Sequence, residues 1–146
     1  MKFILLKLLA MIFIISLVGC GPSESEKKSM IMESSETIKQ EVIEPMGIVV
    51  EEKWDTSGEN PPSLLLTAQI SRSTIEIDYT ANFKDALSGY VQANANISFL
   101  KKWQPADGRS QASIIIKQDE NITLMVCDVP DSGLKLNCVL SYGVED

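Results

Sequence analysis

The chain has 146 residues, 45% of them hydrophobic, with 13 basic against 20 acidic side chains and a net charge of −7. That length suits one domain with some chain to spare, and the acidic balance excludes a phosphate-neutralising nucleic-acid surface and a polybasic lipid patch. Histidine is absent, which removes the usual general base near neutral pH, the Ser-His and Cys-His nucleophile systems and most zinc sites.

Lys2 and Lys7 lead into an apolar run from Leu8 to Val18 that is broken only by Ser16 and ends in Leu17-Val18-Gly19-Cys20. The layout is that of a secretory signal: basic, then apolar, then a small residue before the cleavage point. The run falls short of the roughly 20 apolar residues of a spanning helix. An uncleaved span and a soluble secreted chain are the alternatives, and neither gives a reason for cysteine at position 20. The segment resembles the lipobox signal peptide of bacterial lipoproteins. The resemblance covers only the first twenty residues and implies a cleaved signal over 1–19. It also implies a diacylglyceryl group on the Cys20 thiol and, in many members, a further acyl chain on the freed amine. It places the protein in a bacterial envelope. Gly21, standing where Asp would favour inner-membrane retention, points to the periplasmic side of the outer membrane if the cell is Gram-negative. Two or more acyl chains anchor stably where one does not. Removing Lys2 and Lys7 leaves 11 basic against 20 acidic residues, a net charge of −9, so charge cannot substitute for the anchor.

Residues 20–46 read as a lipidated, mostly disordered tether. The stretch is rich in Ser, Glu and Lys and lacks aromatic residues, a composition that buries too little apolar area to offset its ordering entropy. Ile31, Ile38 and Val42 lie at helical spacing, so a short, frayed helix over 33–44 is expected, ended by Pro45 and Gly47. As a flexible coil the tether would average about 25–30 Å end to end.

Residues 47–146 form the body. Ile75, Ile77, Tyr79, Ala81 and Phe83 alternate with Thr74, Glu76, Asp78 and Thr80. Val91, Ala93, Ala95, Ile97 and Phe99 alternate with Gln92, Asn94, Asn96 and Ser98, and Leu64, Leu66, Ala68 and Ile70 make a third set. Period-two alternation predicts half-buried antiparallel strands. Further strands are expected at Ile48–Trp54, around Ile114-Ile115-Ile116, over Ile122–Val129 and at about 134–142. Turns fall at Ser71-Arg72-Ser73, Leu87-Ser88-Gly89, Pro105-Ala106-Asp107-Gly108, Asp119-Glu120-Asn121 and Pro130-Asp131-Ser132-Gly133. The expected fold is all-β: a small antiparallel meander closing into a sandwich or small barrel. Phe83, Leu87, Tyr90 and Val91 also line one helical face, so the alternative is α+β with a helix near 82–92.

Three cysteines are an odd number for an exported chain. Lipidation of Cys20 leaves Cys127 and Cys138 as a pair. A hairpin turn centred between Ser132 and Gly133 sets them directly opposite each other, which predicts a cross-strand disulfide. A redox pair would call for Cys-x-x-Cys spacing or a thiolate-stabilising neighbour. No metal site or cofactor is predicted, and no catalytic set. Glu76 and Asp78 share a solvated strand face, and Asp119-Glu120-Asn121 lacks the ligand spacing of a calcium loop. The two sequons, at Asn96 and Asn121, are read as chance.

The expected function is therefore non-enzymatic: a lipid-anchored module that docks an envelope protein. Two alternatives remain. Gln92, Asn94, Asn96 and Ser98, with Trp103 stacking nearby, would make a glycan-binding face. An acidic body would also attract a basic hydrolase such as lysozyme. Membrane-bound lysozyme inhibitors are small β lipoproteins whose motif is Ser-Gly, two residues, then Tyr. The chain is similar only in Ser88-Gly89, followed at once by Tyr90.

Overall fold

The computed structural model describes residues 21–55, 61–69, 79–131 and 135–143. Among the described residues the first element is helix α1, Glu24–Ile38, begun by a reciprocal cap. The Ser23 hydroxyl accepts from the Glu26 amide at 3.3 Å, and the Glu26 carboxylate accepts from the Ser23 amide at 2.6 Å. Two orphan donors are thereby satisfied, and Glu24 and Glu26 sit where the helix dipole favours negative charge. The helix widens into a π turn, Lys39–Ile43, tightens into a 3₁₀ turn, Glu44–Met46, and stops at Gly47 with φ of 71°. Glycine adopts that left-handed conformation without a Cβ clash.

Among the described residues six strands follow: β1 (Val50–Asp55), β2 (Ser63–Gln69), β3 (Ile97–Ala106), β4 (Arg109–Gln118), β5 (Asn121–Pro130) and β6 (Lys135–Gly143), with helix α2 (Tyr79–Ala93) between β2 and β3. They form one antiparallel sheet in the order β1-β2-β6-β5-β4-β3. The last four strands are the expected meander, and β6 closes it against the β1–β2 hairpin. Two-residue turns sit where turn chemistry placed them. Asp107-Gly108 links Ala106 to Arg109, with φ of 71° at Gly108, and Asp119-Glu120 links Gln118 to Asn121, with φ of 54° at Asp119. Both edges are blunted against pairing with other chains. β1 carries Glu51, Glu52 and Lys53, and β3 has two register shifts, Lys101-Lys102 and Pro105.

Both helices cover the same face of this sheet. α1 lies over β2, β5 and β6, and α2 packs on β3 and on the π turn. Leu64, Leu66, Ala68, Ile114, Met125, Cys127, Cys138 and Leu140 rise from the strands to meet Ile31, Ile38, Val42 and Ile43 from the first helical stretch and Phe83, Leu87 and Val91 from α2. Phe83 meets Trp103 edge-on, ring centres 6.1 Å apart, within the range of favourable aromatic pairs.

Three expectations change. Residues 24–46 are not a disordered tether. Ile31, Ile38, Val42 and Ile43 are at most 1% exposed, and most helical stability comes from such packing rather than from local composition. The small, buried Ser34 and Ser35 between them bring the helix close to the sheet. Second, Tyr79–Phe83, Leu87-Ser88-Gly89 and Val91-Gln92-Ala93 are parts of α2 and not strands or a turn. Phe83, Leu87 and Val91 repeat every four residues, a spacing shared by period-two and helical patterns. Asp85 and Gly89, on the same parity, break the strand reading. The α+β alternative is thus the fold adopted. Third, among the described residues there is one sheet, faced by helices, in place of a sandwich or barrel. Ile70, the Ser71–Ser73 turn, Ile75, Glu76, Ile77 and Asp78 lie outside the described residues.

Candidate functional site

Cys20 lies outside the described residues, and the chain just after it is fastened to the body. The capped start of α1 is held at the end of the sheet: the Lys27 ammonium sits over the Tyr142 ring at 5.1 Å, and the Tyr142 hydroxyl donates to Asn121 at 3.0 Å. At the other end of the helical stretch, Lys39 is 17% exposed and makes 2.6 Å ion pairs with Glu36 and with Glu52 of β1. Burial pulls its pKa down, but the hydrogen bonds and charges of the two carboxylates outweigh that and leave it raised. The Ser35 hydroxyl also donates to Glu52, at 3.4 Å. Helix and edge strand are therefore joined by polar contacts at the rim of the core.

The disulfide joins Cys127 and Cys138, Cα atoms 4.1 Å apart and directly paired in the β5–β6 register. Both are buried beneath the helices. Register explains the pairing: a directly opposed, non-hydrogen-bonded antiparallel pair holds its side chains closest.

The proposed amide row is not one surface. Gln92 is on α2, Asn94 and Asn96 are in the turn after it, and only Ser98 and Trp103 are on β3. The Asn94 side chain donates to the Tyr90 carbonyl at 2.8 Å and that of Asn96 to the Lys117 carbonyl at 3.3 Å. These amides stop the helix and start the strand instead of presenting a flat hydrogen-bonding face. Trp103 is half-buried against Phe83, with Lys84 over its ring at 6.0 Å. Ser88-Gly89-Tyr90 is likewise helical. The Ser88 hydroxyl donates to the Lys84 carbonyl at 2.6 Å, and burial, then Glu41, pushes the Tyr90 phenol up.

A cavity of about 120 Å³ opens between the two helices and the β3–β4 pair, lined by Ser34, Thr37, Tyr90, Asn96 and Gln118 among others. The Ser34 hydroxyl and the side-chain amide oxygen of Gln118 are buried without protein partners. A few water molecules fit a polar space of that size. Among the described residues no group of three His, Cys, Asp or Glu side chains is placed to hold a metal ion, and no helix is long and apolar enough to cross a membrane.

The surface that sequence reasoning missed is the sheet's second face. Leu65, Val139 and Val126 are directly paired across β2, β6 and β5, and Leu124 pairs with Ile115 of β4. These five are intermediate to exposed, Val139 at 39%. Beside them Arg109 pairs with Asp128 at 3.0 Å. The signal was present in Ile114-Ile115-Ile116 and in Ile122–Val129. An unbroken apolar run in a strand offers apolar side chains to both faces.

No protein-family model matches the chain, and no curated protein matches it.

Proposed function

We propose that the protein is a lipid-anchored envelope protein whose folded body is a non-catalytic docking module for another envelope protein. One observation carries the anchor. Cys127 and Cys138 consume each other, which leaves Cys20 as the single remaining cysteine of three, at the lipobox position. A disulfide also suits a chain that folds in an oxidising space. The docking role draws on the open face, where Leu65, Val126 and Val139 form an apolar row at the centre of a rigid sheet with the Arg109–Asp128 pair beside it. An apolar centre with a polar margin is the make-up of a protein interface. A partner with a complementary apolar patch fits it.

Intact-mass measurement of protein extracted from membranes tests the anchor. Loss of residues 1–19, the added mass of acyl chains and two missing hydrogens are expected together, and a chain that still begins at Met1 overturns the reading. The docking role is tested by a photo-crosslinking residue placed at position 139 in the native envelope. A discrete adduct from 139, absent from position 28 on α1, is expected. The same adducts from both positions, or none from 139, remove the open face from the function.

A further inference from the structure

We propose that the folded body stands directly on the bilayer, with the start of α1 and the β4–β5 turn against the lipid headgroups and no flexible spacer between; this rests on the acylation of Cys20 proposed above. Only Gly21 and Pro22 separate Cys20 from the cap residue Ser23. Three Cα–Cα steps of 3.8 Å reach at most about 11 Å. The helix cannot readily give up more chain, because both the amide and the hydroxyl of Ser23 are engaged in the cap. One turn further on, Lys27 lies over Tyr142.

That contact decides which part of the body meets the membrane. Tyr142 is near the end of β6, and its hydroxyl bonds Asn121 at the start of β5. The register puts the Asp119-Glu120 turn, Gly143 opposite Ile122, and Ser141 opposite Ser63 at this same end of the sheet. Ile97, paired with Ile116, brings the turn after α2 there as well. The end mixes Tyr142, Asn96, Asn121, Lys27 and Lys28 with Glu24, Glu26, Asp119 and Glu120. Such a surface has no net attraction for anionic lipid, so the acyl chains and the short link hold it down, against a zwitterionic headgroup layer. The Asp107-Gly108 turn is at the far end of β4, ten residues away, roughly 33 Å along the strand. The open face then rises from the membrane like a wall, and a partner reaches it within about 30 Å of the lipid.

The test uses the acylated protein in phosphatidylcholine vesicles that carry nitroxide on their headgroups. A fluorophore is attached through Glu120→Cys in one variant and Asp107→Cys in another, both on exposed turns. Loss of emission is expected at 120 and none at 107. A twenty-residue Gly/Ser insertion between Gly21 and Pro22, which adds about 25 Å of average reach, is expected to abolish the loss at 120. Equal quenching at the two positions, or quenching at 120 that survives the insertion, overturns the proposal while leaving the anchor intact. Intact mass without acyl chains overturns the anchor, and the proposal with it.

Discussion

Adjacent residues on the central strands meet opposite environments on the two faces of the sheet. Leu66 and Cys138 are at most 1% exposed beneath α1, while their neighbours Leu65 and Val139 point the other way, Val139 at 39% exposure. Residue type does not explain the difference, since both faces carry aliphatic side chains on β2, β5 and β6. What differs is cover. One face has two helices over it and the other, among the described residues, has none. The helix-covered side therefore holds the folding energy, and the open side is free to serve binding.

The sharpest way to break that contrast is a matched pair of truncations. Leu66→Ala leaves a cavity under α1 and is expected to cost about 2–5 kcal/mol. Leu65→Ala, one residue away on the half-buried face, is expected to cost under about 1 kcal/mol. Urea denaturation of both variants reads the difference, and equal losses would mean that the open face is core after all. Next in size is the disulfide. It closes a loop across a sequence separation of 11 residues, and Cys127→Ser with Cys138→Ser is expected to cost about 3 kcal/mol, again by urea midpoint.

Much of the covered face was legible in the sequence, and the reason is local. Asp107-Gly108 and Asp119-Glu120 are turn dipeptides, each bounded by strands of matching length. Once a turn is placed, register is set, and the Cys127–Cys138 pairing was read in the same way, from a hairpin turn centred between Ser132 and Gly133. α2 was ambiguous because a four-residue repeat fits both periods, and only Asp85 and Gly89 discriminate. The first helical stretch was only partly legible, as a short, frayed helix over 33–44, for a different reason. Its few buried apolar residues, Ile31, Ile38, Val42 and Ile43, are too sparse to hold a helix alone. They suffice only because a sheet assembled from residues far along the chain waits beneath them. The amide row at 92–98 failed for the same reason as the strand that was to carry it: Asn94 and Asn96 mark a change of element, where side-chain amides commonly bond the backbone.

Smaller effects test how firmly α1 belongs to the covered face. Ser23→Ala removes the hydroxyl half of the cap and is expected to lower stability by about 1 kcal/mol. If residues 24–46 were a loose tether, the same change would leave the urea midpoint where it was.

The last and smallest effect concerns the rim, where Lys39, at the start of the π turn, links Glu36 of α1 to Glu52 of β1. Its pKa is raised in the folded state because Glu36 and Glu52 favour the ammonium more than burial opposes it. A raised folded pKa means that the folded chain holds this proton more tightly than the unfolded one. The contribution is whole below the unfolded lysine value of about 10.4 and fades as pH climbs through the higher folded value. Stability should therefore be insensitive to this pair from neutral pH to about pH 10 and fall beyond it. Lys39→Met keeps the aliphatic stem and deletes the charge, so it should be less stable than the parent at pH 8 and converge on it at strongly alkaline pH. Parallel pH profiles of parent and variant would show that the ion pairs add nothing to the packing of Ile38 and Val42 on either side of Lys39, and that α1 is held to the sheet by its apolar stripe alone.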